Sequence, residues 1–153
     1  MNTQTLLSIV ADQREELLAN DYSELCPRPE ESQLDLKSNR AQVVIGVRRC
    51  GKSTLCEMFL KQKGIDFAYV NFDDDRMEDM KASDLDHLLE ALYMTYGEFK
   101  YLFLDEIQNI EGWPLFVNRL LRQKMHLFIT GSNSKLLSKE LSTHLTGRNN
   151  KVE

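Results

Sequence analysis

Three cysteines, three prolines, a modest basic content and no long apolar run define this chain by what it lacks. Cys26, Cys50 and Cys56 are odd in number and without C-x-x-C spacing, which argues against a disulfide framework or a zinc site and for reduced thiols in a cytoplasm. No apolar stretch approaches membrane-spanning length, and the N-terminus lacks the basic-then-apolar layout of a secretion signal. The expected location is therefore the cytoplasm, with no membrane partner. Lys and Arg total 19 against 24 Asp and Glu, a net charge of −5, which argues against a broad nucleic-acid footprint. Two of the prolines fall together in Cys26-Pro27-Arg28-Pro29 and exclude a regular element there. What remains, 42% hydrophobic and 28% charged residues over 153 positions, describes one globular domain able to bury about two-thirds of its unfolded surface.

One stretch organises the rest. Val43-Val44-Ile45 leads into Gly46-Val47-Arg48-Arg49-Cys50-Gly51-Lys52-Ser53, which reads G-x-x-x-x-G-K-S, and Thr54, Leu55, Met58 and Phe59 follow at helical spacing. Strand, glycine loop and helix in that order are the context a phosphate-binding loop (Walker A) requires. Glycine lets the backbone curl around an anion, so N–H groups from Arg49 through Cys50, Gly51, Lys52 and Ser53 to Thr54 would point inward. The helix dipole adds to that field. Lys52 would reach the β- and γ-phosphates, and the Ser53 hydroxyl would ligate Mg²⁺. The motif predicts binding of a nucleoside triphosphate, against the blander account of a tight glycine turn.

Along the chain, Leu6, Leu7, Val10, Leu17 and Leu18 predict an amphipathic helix ending near Asn20-Asp21, packed on a sheet. Tyr22 to Arg40 reads as a polar connector. After the loop, a helix from about Lys52 to Lys63 should stop near Gly64. Phe67 to Phe72 reads as a second strand, Leu85, Leu88, Leu89, Leu92 and Tyr93 as a helix capped by Ser83 or Asp84, and Tyr101 to Glu106 as a third strand. Gly112-Trp113-Pro114 opens a helix with Phe116, Val117, Leu120 and Leu121 on one face. His126 to Thr130 is a fourth strand, and Leu136, Leu137 and Leu141 mark a short helix. Alternation of strands and helices implies an α/β fold, a parallel sheet with helices on both faces.

Asp105-Glu106, at the carboxyl end of an apolar strand, adds hydrolysis to binding (Walker B). Ligands of such sheets sit at the carboxyl ends of the strands. Asp105 would hold Mg²⁺ through water, and Glu106 would orient and deprotonate the attacking water, a role worth about 10²–10⁴-fold. Asn133 has two readings, a contact to the γ-phosphate or attacking water and a helix cap. Arg148 likewise reads as an arginine finger or as a surface arginine. Asp73 and Asp74 read as a solvated acidic loop, the histidines His87, His126 and His144 as structural, and Trp113 as a packing residue.

Gly46 to Ser53, Tyr69-Val70-Asn71-Phe72-Asp73-Asp74, Leu104-Asp105-Glu106-Ile107-Gln108, Gly131-Ser132-Asn133-Ser134-Lys135-Leu136-Leu137 and Leu145-Thr146-Gly147-Arg148 together resemble a group of poorly characterised bacterial and archaeal AAA-like ATPases. The resemblance spans Val43 to Arg148. It implies a three-layer P-loop NTPase core with strand order 5-1-4-3-2, with Lys52, Ser53, Asp105 and Glu106 as nucleotide and catalytic residues and Asn133 as sensor. Members of the group usually continue into a fifth strand and a C-terminal domain. Residues 1–40 would then be an N-terminal helix and connector, and residues 41–153 the core, with the fifth strand largely missing. On that expectation the first strand is an apolar edge that invites self-association, unless the connector covers it.

The expected function is Mg²⁺-dependent ATP binding and hydrolysis, with ADP as product, coupled to movement of a further domain or partner. The alternative is a nucleotide-binding switch with little turnover that recruits a protein or nucleic-acid partner such as DNA. A GTPase is disfavoured because Asp105 is not followed by D-x-x-G, and a kinase because no arginine-rich lid is evident.

Overall fold

Five short strands form one parallel sheet: β1 (Ala41–Ile45), β2 (Ala68–Asn71), β3 (Tyr101–Asp105), β4 (His126–Gly131) and β5 (Asn149–Val152), in the order β2-β3-β4-β1-β5. The computed structural model describes residues 2–19, 41–45, 60–61, 63–132 and 149–152. β3 and β4 lie inside the sheet and are buried along nearly their whole length, as strands covered on both faces must be. Among the described residues three helices, α1 (Thr3–Ala19), α2 (Leu85–Tyr96) and α3 (Trp113–Arg122), lie where they were expected, but Leu18 and Tyr93, assigned to the apolar faces of the first two, are exposed. Pro114 sits in the first turn of α3, where its missing N–H costs nothing, and Trp113 is buried in the core beside it.

The two-residue period of a strand sorts its side chains onto two cores. Val43, Val70, Leu102, Leu104, Leu127 and Ile129 face α1, α2 and α3 in the larger one. Val44, Tyr69, Phe103 and Phe128 face the opposite side, where Leu60 and Leu17 are buried against them. Of the helix expected over Lys52 to Lys63, only Leu60 and Lys61 are described as helical, and the stop is where it was expected. Gly64 takes φ 68°, its N–H bonds to the Lys61 carbonyl, and the Ile65 N–H reaches back to Leu60, a left-handed helix termination. Asp84 occupies the N-cap position of α2, but its carboxylate accepts the Lys81 N–H, a bond that holds it below the usual carboxylate range.

The two sides of the sheet close differently. At β2, the side-chain amide of Gln13 on α1 donates to the Asn71 carbonyl (2.9 Å) and accepts from the Asn71 N–H (3.0 Å), as a neighbouring strand would. Gln13 is buried, so both bonds are made away from water. On the other side the expectation of a largely missing fifth strand is corrected. β5 pairs with β1 in parallel, from Ala41 opposite Asn149 to Val44 opposite Val152. A parallel ladder is made by backbone groups, so four residues suffice to pair with Ala41 to Val44. β1 is thus an interior strand, and the bare first-strand edge expected to drive self-association is occupied.

In the acidic loop after β2, Asp73 is exposed as expected, but Asp74 departs from expectation. Asp74 is partly buried, accepting from Gln13 Nε2 (3.1 Å), the Arg76 N–H (2.9 Å) and the Arg76 guanidinium (2.7 Å). Arg76 also reaches Asp12 on α1 at 2.7 Å. The bond from Arg76 holds the Asp74 carboxyl well below the usual range, and Asp74 with Asp12 holds the guanidinium above its own. This is a clamp between α1 and the sheet rather than a solvated loop.

Candidate active site at the carboxyl ends of β3 and β4

Parallel strands place the ends of β1, β3 and β4 at one edge of the sheet, and Asp105 closes β3 there. Its side chain shares a face with Phe103, the face that also carries Tyr69 and Phe128. The Tyr69 hydroxyl, its ring edge-on to Phe103 at 5.1 Å, donates to Asp105 Oδ2 at 2.9 Å. Thr130, from the end of β4, donates its hydroxyl to Asp105 Oδ1. A carboxylate only 4% exposed needs such donors to offset lost hydration. The two hydroxyls orient it.

Glu106 leaves the strand in the left-handed conformation, φ 58° and ψ 49°. For a residue with a Cβ this costs about 1–3 kcal/mol, and such conformations gather at functional sites. The turn sends the Glu106 N–H onto Thr130 Oγ1 (3.0 Å), so one hydroxyl fixes both acidic residues. The carboxylate of Glu106, 6% exposed, accepts from Ser132 Oγ at 2.8 Å on each oxygen and from Gln108 Nε2 at 2.7 Å on Oε2.

Asp105 and Glu106 are therefore brought together as expected. Gly46, Arg49, Cys50, Gly51, Lys52, Ser53, Thr54, Asn133 and Arg148 lie outside the described residues, as do Arg48, the connector Tyr22 to Arg40 and the short helix of Leu136 to Leu141. The described flanks of the loop bear on the site nonetheless. β1 ends with Ile45 opposite Gly131, and the chain is next described at Leu60, buried on the sheet face that carries Asp105. A cleft of about 440 Å³, lined by Leu17, Ile65, Phe67, Tyr96 and Phe99, lies toward the starts of β2 and β3, at the other end from the carboxylates. Burial there pushes the Tyr96 phenol up to about 12.

Sequence reasoning missed Tyr69, Thr130, Ser132 and Gln108. The signal for Thr130 was present: a hydroxyl closes an otherwise apolar strand, in phase with Phe128. Ser132 and Gln108 carried none, since their contacts depend on the left-handed turn at Glu106.

A family model described as an AAA domain matches residues 38–153. The chain belongs to that family. AAA domains are nucleotide-binding and generally ATPases. Of its relatives, an uncharacterized protein of Methanocaldococcus jannaschii is 43% identical over 122 residues, covering 79% of this chain and 27% of that protein. An uncharacterized protein of Haemophilus influenzae is 40% identical over 115 residues, covering 70% and 29% respectively. This AAA domain thus matches less than a third of either relative's length. Among solved structures, Rhizobiales Trip13 aligns with 99% of this chain and 57% of its own at 14% identity and a TM-score of 0.44. Among the described residues no helix is long and apolar enough to cross a membrane.

Proposed function

We propose that this AAA domain binds ATP with Mg²⁺ and hydrolyses it, with Glu106 as the general base. The observation that carries the reading is the hydrogen-bonded array of Asp105, Thr130, Glu106 and Ser132 at the carboxyl ends of β3 and β4. Lys52 would bind the phosphates and Ser53 would share the cation, on the strength of the G-x-x-x-x-G-K-S motif. Among the described residues there is no cluster of three or more metal-ligating side chains. A single buried, oriented carboxylate at Asp105 fits Mg²⁺, which prefers one or two carboxylates with phosphates and waters to an all-protein cage. Bound there, Mg²⁺ would supply charge stabilisation to the phosphoryl oxygens. Asp105 would hold that cation with its carboxylate. Glu106 orients a water and takes its proton on a carboxylate oxygen.

Two variants test this. Lys52→Ala should abolish ATP binding, because it removes the cation facing the triphosphate. Glu106→Gln should keep or tighten binding while slowing multiple-turnover phosphate release about 100-fold or more. Equal release by wild type and Glu106→Gln would remove Glu106 from catalysis. Tight ATP retention without release by the wild type would favour a nucleotide switch instead.

A further inference from the structure

Beyond the two acidic residues, the site contains a side chain whose placement stability alone does not account for. Glu106 turns the chain out of β3 into a single 3₁₀ turn, Ile107–Asn109. Ile107 and Ile110 pin that turn by full burial, and Asn109 Nδ2 ties it to the Phe72 carbonyl at 3.2 Å. Gln108 is thereby folded back onto the residue two positions before it, and its Nε2 donates to Glu106 Oε2. Its other end is left with nothing: Oε1 is buried and has no hydrogen-bond partner.

An orphaned buried acceptor costs about 1–3 kcal/mol, and an apolar side chain of similar size would remove that cost. The arrangement makes sense if the amide is present for what its nitrogen does. We propose that Gln108 is a positioning residue for Glu106. It holds the carboxylate from the C-terminal side while Ser132 holds it from the end of β4. With donors arriving from two separately anchored elements, the carboxylate is confined to one rotamer. A general base works only if it stays within hydrogen-bond reach of its water, so this confinement sets the rate without touching nucleotide. The proposal rests on the ATPase reading and names a further residue within it.

The test measures melting temperature, ATP affinity and single-turnover phosphate release for Gln108→Leu and Gln108→Glu, each in the wild-type and the Glu106→Gln background. Gln108→Leu removes the orphan but also a donor to the buried Glu106 carboxylate, two opposing effects, so it should melt near the wild-type temperature and bind ATP unchanged. Release should slow about tenfold or more, a fraction of what a general base supplies. In the Glu106→Gln background the same change should add no further slowing, since Gln108 acts only through that carboxylate. Gln108→Glu keeps the volume but loses the donor, so it should slow release as well and serves if the leucine variant fails to fold. Wild-type release rates in both variants would overturn the proposal, as would equal slowing in both backgrounds or a rate loss that tracks a fall in melting temperature. If the wild-type chain binds ATP but releases no phosphate, the ATPase reading itself falls and takes this one with it. Normal wild-type turnover with unaffected variants removes Gln108 alone.

Discussion

Two strands of this sheet lead into adjacent carboxylates, Asp73-Asp74 shortly after β2 and Asp105-Glu106 at the end of β3. In sequence the pairs look alike, each closing an apolar run at the edge where ligands of parallel sheets bind. Among the described residues their donors differ. Asp74 is bonded by the Arg76 guanidinium, which also grips Asp12, so its charge is used to fasten α1 to the sheet. Asp105 and Glu106 are bonded by the hydroxyls of Tyr69, Thr130 and Ser132 and the amide of Gln108. Cationic donors neutralise a carboxylate, whereas neutral donors aim it. Among the described residues, the donors around each pair thus distinguish the two more sharply than their shared place at the sheet edge does.

The largest effect that would break this contrast is expected at Asp105. Asp105→Asn keeps the shape but removes the charge that, on the proposed reading, would hold Mg²⁺, an interaction worth several kcal/mol, so Mg²⁺-dependent hydrolysis should fall about 100-fold or more. Asp74→Asn should leave hydrolysis unchanged, and a comparable loss of turnover there would erase the distinction between the pairs. Next in size is Thr130→Val, which takes the shared donor from Asp105 and the acceptor from the Glu106 N–H in a fully buried place. Thermal or urea unfolding should register a loss of about 1–3 kcal/mol, with turnover reduced as well.

Asp74→Asn itself should destabilise by no more than about 1 kcal/mol, because Arg76 is 38% exposed and the pair is screened. The pH dependence follows from the sign of the shift. Asp74 is held below the usual carboxylate range in the folded chain, so its contribution is complete above about pH 4 and disappears as pH falls through the folded-state value. The difference in melting temperature between wild type and Asp74→Asn should accordingly close on acidification. The smallest effect is that of salt. At about 1 M the Debye length shrinks to about 3 Å, which should trim the Asp74→Asn difference by a few tenths of a kcal/mol and leave that of Thr130→Val untouched.

Much of the frame was legible because hydrophobic period and strand-end chemistry are local properties. The runs at Val43, Tyr69, Leu102 and Phe128 gave four strands, the spacing of Leu85 to Tyr93 gave α2, and Asp105-Glu106 stood out at the end of an apolar strand. The acidic loop was misread because Arg76 and Asp12 are assigned to each other only by the packing of α1. β5 was discounted because the five residues after Arg148 looked too short for a strand plus its approach, whereas four are enough to form the ladder to β1. Gln13 could have been found, since it falls on the buried face of α1 defined by Leu6, Ile9, Val10 and Leu17. A polar residue in phase with such a face has to meet a polar partner. The left-handed turn at Glu106 had no signal, because it is enforced by tertiary contacts against local preference.

The glutamine that closes the β2 edge also bears on how the chain is assembled. Gln13 lies 58 positions before its partner Asn71, and elsewhere on α1 Thr3 meets His87 across 84 and Arg14 meets Thr95 across 81. α1 is synthesised before β2 and α2 and has nothing to pack on until they exist. Contacts this distant in sequence form late, because loop closure must come before their reward. During that interval β2 offers unpaired backbone groups, and the apolar face of α1 is bare. Crowded, half-made chains are then open to strand pairing with one another, a hazard that ends when the helix docks. Versions of the protein deprived of residues 1–19 should remain in that state, accumulating as edge-paired aggregates even where their carboxylate site is intact.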